Sequence, residues 1–367
     1  MLAYLLIVTL LAAPPASLPR PDLPVERIKL PAGFSVAVYA QGLKNARSMA
    51  RASDGTIFVG TRTAGAVYAL RDTDGDGRAD LVWTIARGLN MPNGIAFRNG
   101  SLYVAEIHRV IRYDRILSKL DNPPKPVVVN GRLPTEKHHG WRYMKFGPDG
   151  KLYISIGAPC NACEVKDPYG TIVRMNPDGS GMEVFARGIR NSVGFAWAPE
   201  DNALWFTDNG RDMMGDDIPP DELNRAPVAN LHFGFPYVHG FDIRDPEHGK
   251  KQGDLNFNSP AQPLGAHVAA LGMIFYTGSM FPEAYRNQVL IAEHGSWNRS
   301  KKIGYRISLV KRDGAKTLSY ELFASGWMNE ERAWGRPVDL LQLPDGSVLV
   351  SDDHAGAIYR ITFNQQD

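Results

Sequence analysis

The sequence predicts an all-β protein, a six-bladed β-propeller whose last blade is closed by strands from the two chain ends. Three observations carry this: one turn-and-strand phrase occurs six times, successive copies lie about 50 residues apart, and a strand candidate stands at each end of the repeated region.

The phrase is a tight turn followed by an alternating apolar strand. It runs Ser53-Asp54-Gly55-Thr56-Ile57-Phe58-Val59, then Asn99-Gly100-Ser101-Leu102-Tyr103-Val104, then Pro148-Asp149-Gly150-Lys151-Leu152-Tyr153-Ile154. Looser copies are Pro199 to Phe206 and Tyr285 to Ile291, and Pro344 to Val350 is the last. Asp-Gly or Asn-Gly supplies the positive φ that a short hairpin turn needs. The interval from Phe206 to Val289 is longer than the others, which predicts an insertion around 208–270. Gly33 to Tyr39 and Ala357 to Thr362 are the terminal strands, expected to pair and shut the ring. A two-sheet sandwich would explain the strands but not six copies of one phrase.

Composition narrows the function classes. Hydrophobic residues make up 44% and charged residues 22% of the 367, which is ordinary globular usage. A net charge of +2 gives no basic field for nucleic acid. The apolar run Leu2 to Ala13 is too short for a membrane span, and small residues follow it, so residues 1–16 read as a secretory signal peptide ahead of a single propeller over 24–367. A periplasmic or secreted location is therefore expected. Cys160 and Cys163 are the two cysteines. Two thiols do not make a four-ligand zinc site, and an exported protein would close them as a disulfide.

Ligands of propellers bind where loops converge at one end of the central channel, so polar clusters beside the repeated phrase are candidate site residues. Lys137-His138-His139-Gly140-Trp141-Arg142 precedes the third copy. A histidine there suits general-base work. Gly188 to Gly194 precedes the fourth, with Arg190 placed for a carboxylate or oxyanion. Thr207 to Asp212, with Asp216, Asp217, Asp221 and Glu222 beyond, offers the many oxygens that Ca²⁺ takes. His294 to Arg299 and Arg332 to Pro337 set arginine beside tryptophan, a pairing able to clamp and stack a flat anion. The loop Asp72 to Asp80 begins like an EF-hand loop, but Trp83 stands where the bidentate Glu belongs; it reads as a hairpin loop, with Ca²⁺ left open.

With these clusters in order, the chain resembles the glucose/sorbosone dehydrogenase family, which uses pyrroloquinoline quinone (PQQ). Gly88-Leu89-Asn90-Met91-Pro92-Asn93-Gly94, His138 to Arg142, Gly188 to Gly194 and His294 to Arg299 carry the resemblance, over nearly the whole mature chain. The resemblance implies an enzyme that oxidises an aldose or sorbosone-like sugar at C1 by hydride transfer to PQQ. It implies His138 as general base and Arg190 hydrogen-bonding the quinone carbonyls. Arg142, Asn191, Arg299, Arg336, Asn93 and Trp297 become cofactor contacts. Glu222 and the main-chain carbonyls of Gly210 and Arg211 become Ca²⁺ ligands. Reduced cofactor would pass electrons to an external quinone or cytochrome, from a monomer or homodimer. One departure is Lys137, where the family often has an acid; a cation there would depress the pKa of His138. Two rival readings remain: a Ca²⁺-dependent lactonase-type propeller, using Glu222, Asn191 and Asp208 on the channel axis, and a non-catalytic binding propeller.

Overall fold

The computed structural model describes residues 23–364. The expected signal peptide, and residues 365–367, lie outside the described residues.

Six four-stranded antiparallel blades ring a central channel. Their inner strands are Ala46–Arg51, Gly94–Arg98, Met144–Phe146, Phe195–Trp197, Ala270–Phe275 and Pro337–Gln342. The repeated phrase is the second strand of every blade: Ile57–Thr61, Ser101–Ala105, Leu152–Ile156, Leu204–Asp208, Val289–Glu293 and Val348–Asp352. The Gly55, Gly100, Gly150 and Gly346 turns all have positive φ, as the hairpins demand. Phe34–Gln41 is the outermost strand of the last blade, paired antiparallel with Ala357–Phe363, so both chain ends share one sheet as expected. At this seam the Phe34 ring meets Phe363, Phe281 and Phe323 edge-on, at 4.9, 4.8 and 5.2 Å between centroids.

Period-two alternation explains the core. Successive side chains of a strand face opposite neighbours, so each blade interface collects its own apolar cluster. Six such clusters form. In the fourth blade Leu204 and Phe206 pack toward the third, while Ala203 and Trp205 pack toward the fifth.

The stretch 208–270 is not one insertion. It contains the third strand of the fourth blade, Pro220–Ala226, and its outer strand, Gln262–Ala266. The excursion is the intervening 227–261. Its Leu231–His232 adds a parallel fifth strand to the third blade beside Glu183–Arg187. The Asp72–Asp80 loop joins Val67–Arg71 to Leu81–Ala86 as a hairpin loop.

The antiparallel register also determines where chemistry can gather. Inner and second strands run in opposite senses, so the start of one lies beside the end of the other. Ala46 pairs with Thr61, Gly94 with Ala105 and Pro337 with Asp352. Loops entering the inner strands and loops leaving the second strands therefore share one mouth of the channel.

Candidate active site

A cavity of about 420 Å³ opens at that mouth. Its walls come from five blades and carry four arginines, Arg47, Arg62, Arg190 and Arg336, against two acids, Asp212 and Asp221. His138, His139, His267 and His294 also line it. So many guanidiniums around one concavity favour a ligand with several anionic oxygens.

His138 is exposed on the cavity wall. Partial burial, and then the neighbouring Arg190, hold its pKa below the usual histidine value. The depressing cation is thus Arg190 rather than Lys137. At neutral pH the ring is uncharged and able to accept a proton. Its neighbour His139 is buried and stacks edge-on at 4.1 Å. The His139 Nδ1–H donates to the Ala158 carbonyl at 2.9 Å, and burial pushes its pKa down to about 2.

Arg190 lines the same cavity, its guanidinium held by neighbouring loops. Its Nε donates to the Asn161 carbonyl at 2.8 Å and its Nη1 to the Asn209 carbonyl at 3.1 Å. Its Nη2 reaches Asn161 Oδ1 at 2.8 Å and Asp212 Oδ2 at 2.7 Å. Asn191 lines the cavity too, and its backbone N–H donates to Asp208 Oδ1 at 2.6 Å. Arg336 is anchored by the His294 and Gly295 carbonyls, at 2.9 and 2.6 Å, with its guanidinium 5.3 Å from the Tyr305 ring centre. Trp297, 67% exposed, stands at the rim.

The structure takes four expected contacts elsewhere. Arg142 is fully buried, and its Nε and Nη2 donate to the Ile107 and Pro134 carbonyls at 2.9 Å each. Burial pushes its pKa down to about 10; it pins loops together outside the cavity lining. Arg299 also lies outside the lining. It bonds Asp217 Oδ1 at 3.0 Å and the Asp216 and Lys301 carbonyls, tying two surface loops. Asn93 is buried behind the wall, where its Oδ1 accepts from Arg47 Nε at 2.7 Å and its Nδ2 donates to the Arg142 carbonyl at 3.1 Å. It orients an arginine of the cavity instead of facing it.

Glu222 is the fourth. It borders a separate void of about 10 Å³ with Asp208 and Arg211. Gly240 N–H and Asn224 Nδ2 donate to it at 2.7 and 2.9 Å. Burial, reinforced by Asp208, raises its pKa to about 8. The Arg211 side chain turns toward Asp245 and Glu247 on the excursion. Gly210 borders both spaces, and its N–H donates to Asp221 Oδ1 at 2.8 Å. Oxygen donors grouped on the fourth-blade side of the arginine-lined cavity are Asp221, Asp212, Asn191, Asn209 and the Gly210 main chain. That set suits a hard cation.

Sequence reading missed Arg47, Arg62 and His267. Arg47 bonds Asp353 Oδ2 at 2.8 Å, and Asp353 Oδ1 in turn holds His294 Nε2 at 2.7 Å. Arg62 stacks over Trp141, 4.4 Å from the ring centre. Its buried Nε has no hydrogen-bond partner among the described residues. Burial, together with Arg47 and Arg336, lowers its pKa. Both arginines sit beside the first copy of the phrase at the positions that yield clusters in later blades, so the same rule applied there would have found them.

Fold and cavity define a six-bladed propeller with a cationic ligand site at one channel mouth. The chain belongs to the family described as domain of unknown function DUF7133, whose model matches residues 26–364. It is 32% identical to an uncharacterised protein of Borreliella burgdorferi over 353 residues, 92% of this chain and 91% of that one. A shorter match, 29% identical over 174 residues, covers 41% of this chain and 44% of the aldose sugar dehydrogenase YliI of Escherichia coli. Among solved structures, the PQQ domain of pyranose dehydrogenase from Coprinopsis cinerea, in its holo form, superposes with a TM-score of 0.77 at 17% identity, covering 91% of this chain and 97% of that one. The soluble aldose sugar dehydrogenase of Escherichia coli superposes at 0.68 and 18% identity, covering 90% and 100%. Both structural neighbours are sugar dehydrogenases, one of them a PQQ domain, and this chain shares their fold.

Proposed function

We propose that this protein is an exported PQQ-dependent dehydrogenase that oxidises an aldose or related sugar at C1. One observation carries the reading: arginines from separate blades and a neutral histidine meet at a single cavity, and one arginine, Arg62, has a buried donor left unpaired. Leaving such a donor unmatched is costly, and an acceptor-rich ligand corrects it.

Arg47, Arg62, Arg190 and Arg336 would hold the carboxylates and carbonyl oxygens of PQQ, with Trp297 and Trp141 beside its ring. Asp221, Asn191, Asn209 and the Gly210 main chain would hold Ca²⁺. Bound together, the quinone supplies a two-electron hydride acceptor and the cation polarises it. The chain's own contribution is proton handling and charge. His138 accepts the proton of the anomeric hydroxyl as the C1–O bond becomes a carbonyl, and the sugar leaves as the lactone. Arg190 beside His138 favours the neutral ring before reaction and would stabilise negative charge gathering in the cavity. The Cys160–Cys163 disulfide fits export, and the electrons would leave to an external quinone or cytochrome.

The test is reconstitution. Purified protein mixed with PQQ and Ca²⁺ should reduce a dye in the presence of some members of an aldose panel. Absence of PQQ binding, or holoprotein inert toward every aldose, overturns the reading.

A further inference from the structure

The disulfide loop lies against the site. Cys160 and Cys163 are bonded to each other with Asn161 and Ala162 between them. This loop follows the second strand of the third blade and reaches across to the fourth.

Asn161 makes four hydrogen bonds to the site's supports. Its carbonyl accepts from Arg190 Nε at 2.8 Å, and its Oδ1 accepts from Arg190 Nη2 at 2.8 Å. The same Oδ1 accepts from the Asp212 N–H at 2.9 Å, and Nδ2 donates to the Asp212 carbonyl at 3.0 Å. Asp212 passes the connection on: its Oδ2 accepts from Arg190 at 2.7 Å and its Oδ1 from Asn298 Nδ2 at 2.9 Å. Arg190, Asp212 and Asn298 line the cavity, whereas Asn161 is absent from its lining. One residue outside the cavity thus fixes two that face it and, through them, a third from the fifth blade.

Gripping one guanidinium with both carbonyl and side chain requires the Asn161 backbone and rotamer to be set together. A half-buried loop leaving a strand end has little apolar packing to do this. Closing the loop covalently removes the alternatives before any ligand arrives, which is preorganisation.

We propose that Asn161, presented by the Cys160–Cys163 ring, is a positioning residue that clamps Arg190 and the Asp212 segment in the arrangement facing the cavity. Its effect on cofactor rests on the dehydrogenase reading; the clamp itself does not.

Two variants test it separately. Asn161→Ala removes the side-chain bonds and keeps the disulfide; Cys160→Ser/Cys163→Ser keeps Asn161 and frees its backbone. Hydrogen exchange over 209–214 reports the clamp without any cofactor, and should quicken about tenfold or more in both while the blade strands stay protected. The PQQ dissociation constant should rise roughly tenfold to a hundredfold, the range for losing hydrogen bonds to a charged group. The acid limb of the turnover–pH profile should move up as Arg190 drifts from His138. A purely structural disulfide predicts a lower melting temperature with the profile unmoved. Unchanged exchange in Asn161→Ala overturns the proposal, and unchanged exchange in the serine pair alone removes the disulfide from it. If the unaltered protein binds no PQQ, the dehydrogenase reading falls, while the exchange data still decide the clamp.

Discussion

Two arginines enter adjacent blades just ahead of their inner strands and meet different fates. Arg142 leads into Met144–Phe146 and Arg190 into Phe195–Trp197. Both are almost fully buried, at 1% and 3% exposure. Arg142 donates to two carbonyls that precede it in the chain, Ile107 and Pro134. Arg190 is held from the side, by Asn161, Asn209 and Asp212, and remains part of the cavity wall. Both segments put an arginine ahead of an inner strand. What separates them is which acceptors the neighbouring loops bring within reach, and that is settled by contacts far along the chain.

This contrast can be sharpened by variants that load one segment and spare the other. The largest effect belongs to His138, next to Arg142 in sequence but on the wall with Arg190. In reconstituted protein, His138→Ala should cut turnover by about 10²–10⁴-fold while PQQ still binds. Undiminished turnover would remove it from the mechanism. The pH profile is a companion check. A base acts only when neutral, and burial with Arg190 depresses the pKa of His138. Activity should therefore be flat through pH 7 and fall only at a pH below the ordinary histidine value of about 6.5.

Arg142→Ala comes next and acts on stability. It leaves the buried Ile107 carbonyl unpaired and frees the half-buried Pro134 carbonyl, at a cost of roughly 1–3 kcal/mol in urea unfolding. Arg190→Lys keeps the charge and loses the planar fork. It should weaken PQQ binding by about tenfold, and the melting temperature should fall as well, since a lysine cannot serve the Asn161, Asn209 and Asp212 acceptors together. If Arg142→Ala lowered cofactor affinity and Arg190→Lys did not, the division between the two segments would be wrong. Smallest is Arg299→Ala. Its bonds tie surface loops, so stability should fall by no more than about 1 kcal/mol and PQQ affinity should hold.

Much of the fold was legible because the strand period and the turn residues repeat. Asp54-Gly55, Asn99-Gly100 and Asp345-Gly346 mark second strands directly, and the pairing of the terminal strands follows from counting blades. The excursion was located only coarsely, since Pro220–Ala226 and Gln262–Ala266 carry no copy of the phrase. At the site, residue types were readable and directions were not. His138, Arg190, Asn191 and Arg336 do line the cavity. Arg142, Arg299 and Asn93 carry the right chemistry but spend it on carbonyls or on another arginine. Arg62 stands alone just past the first copy, where later blades carry whole clusters, so its place in the repeat marks it and its immediate neighbours do not. Asn161 escaped because it sits inside a motif read only for its cysteines.

The central claim is that arginines from separate blades form one site for one anionic ligand. Calorimetric titration of PQQ, with Ca²⁺ present, into the unaltered protein and into Arg62→Ala, Arg190→Lys and Arg336→Ala tests it most directly. The account predicts a single site in the unaltered protein and weaker binding in all three variants. Binding that none of the three variants alters, or no binding at all, would contradict it.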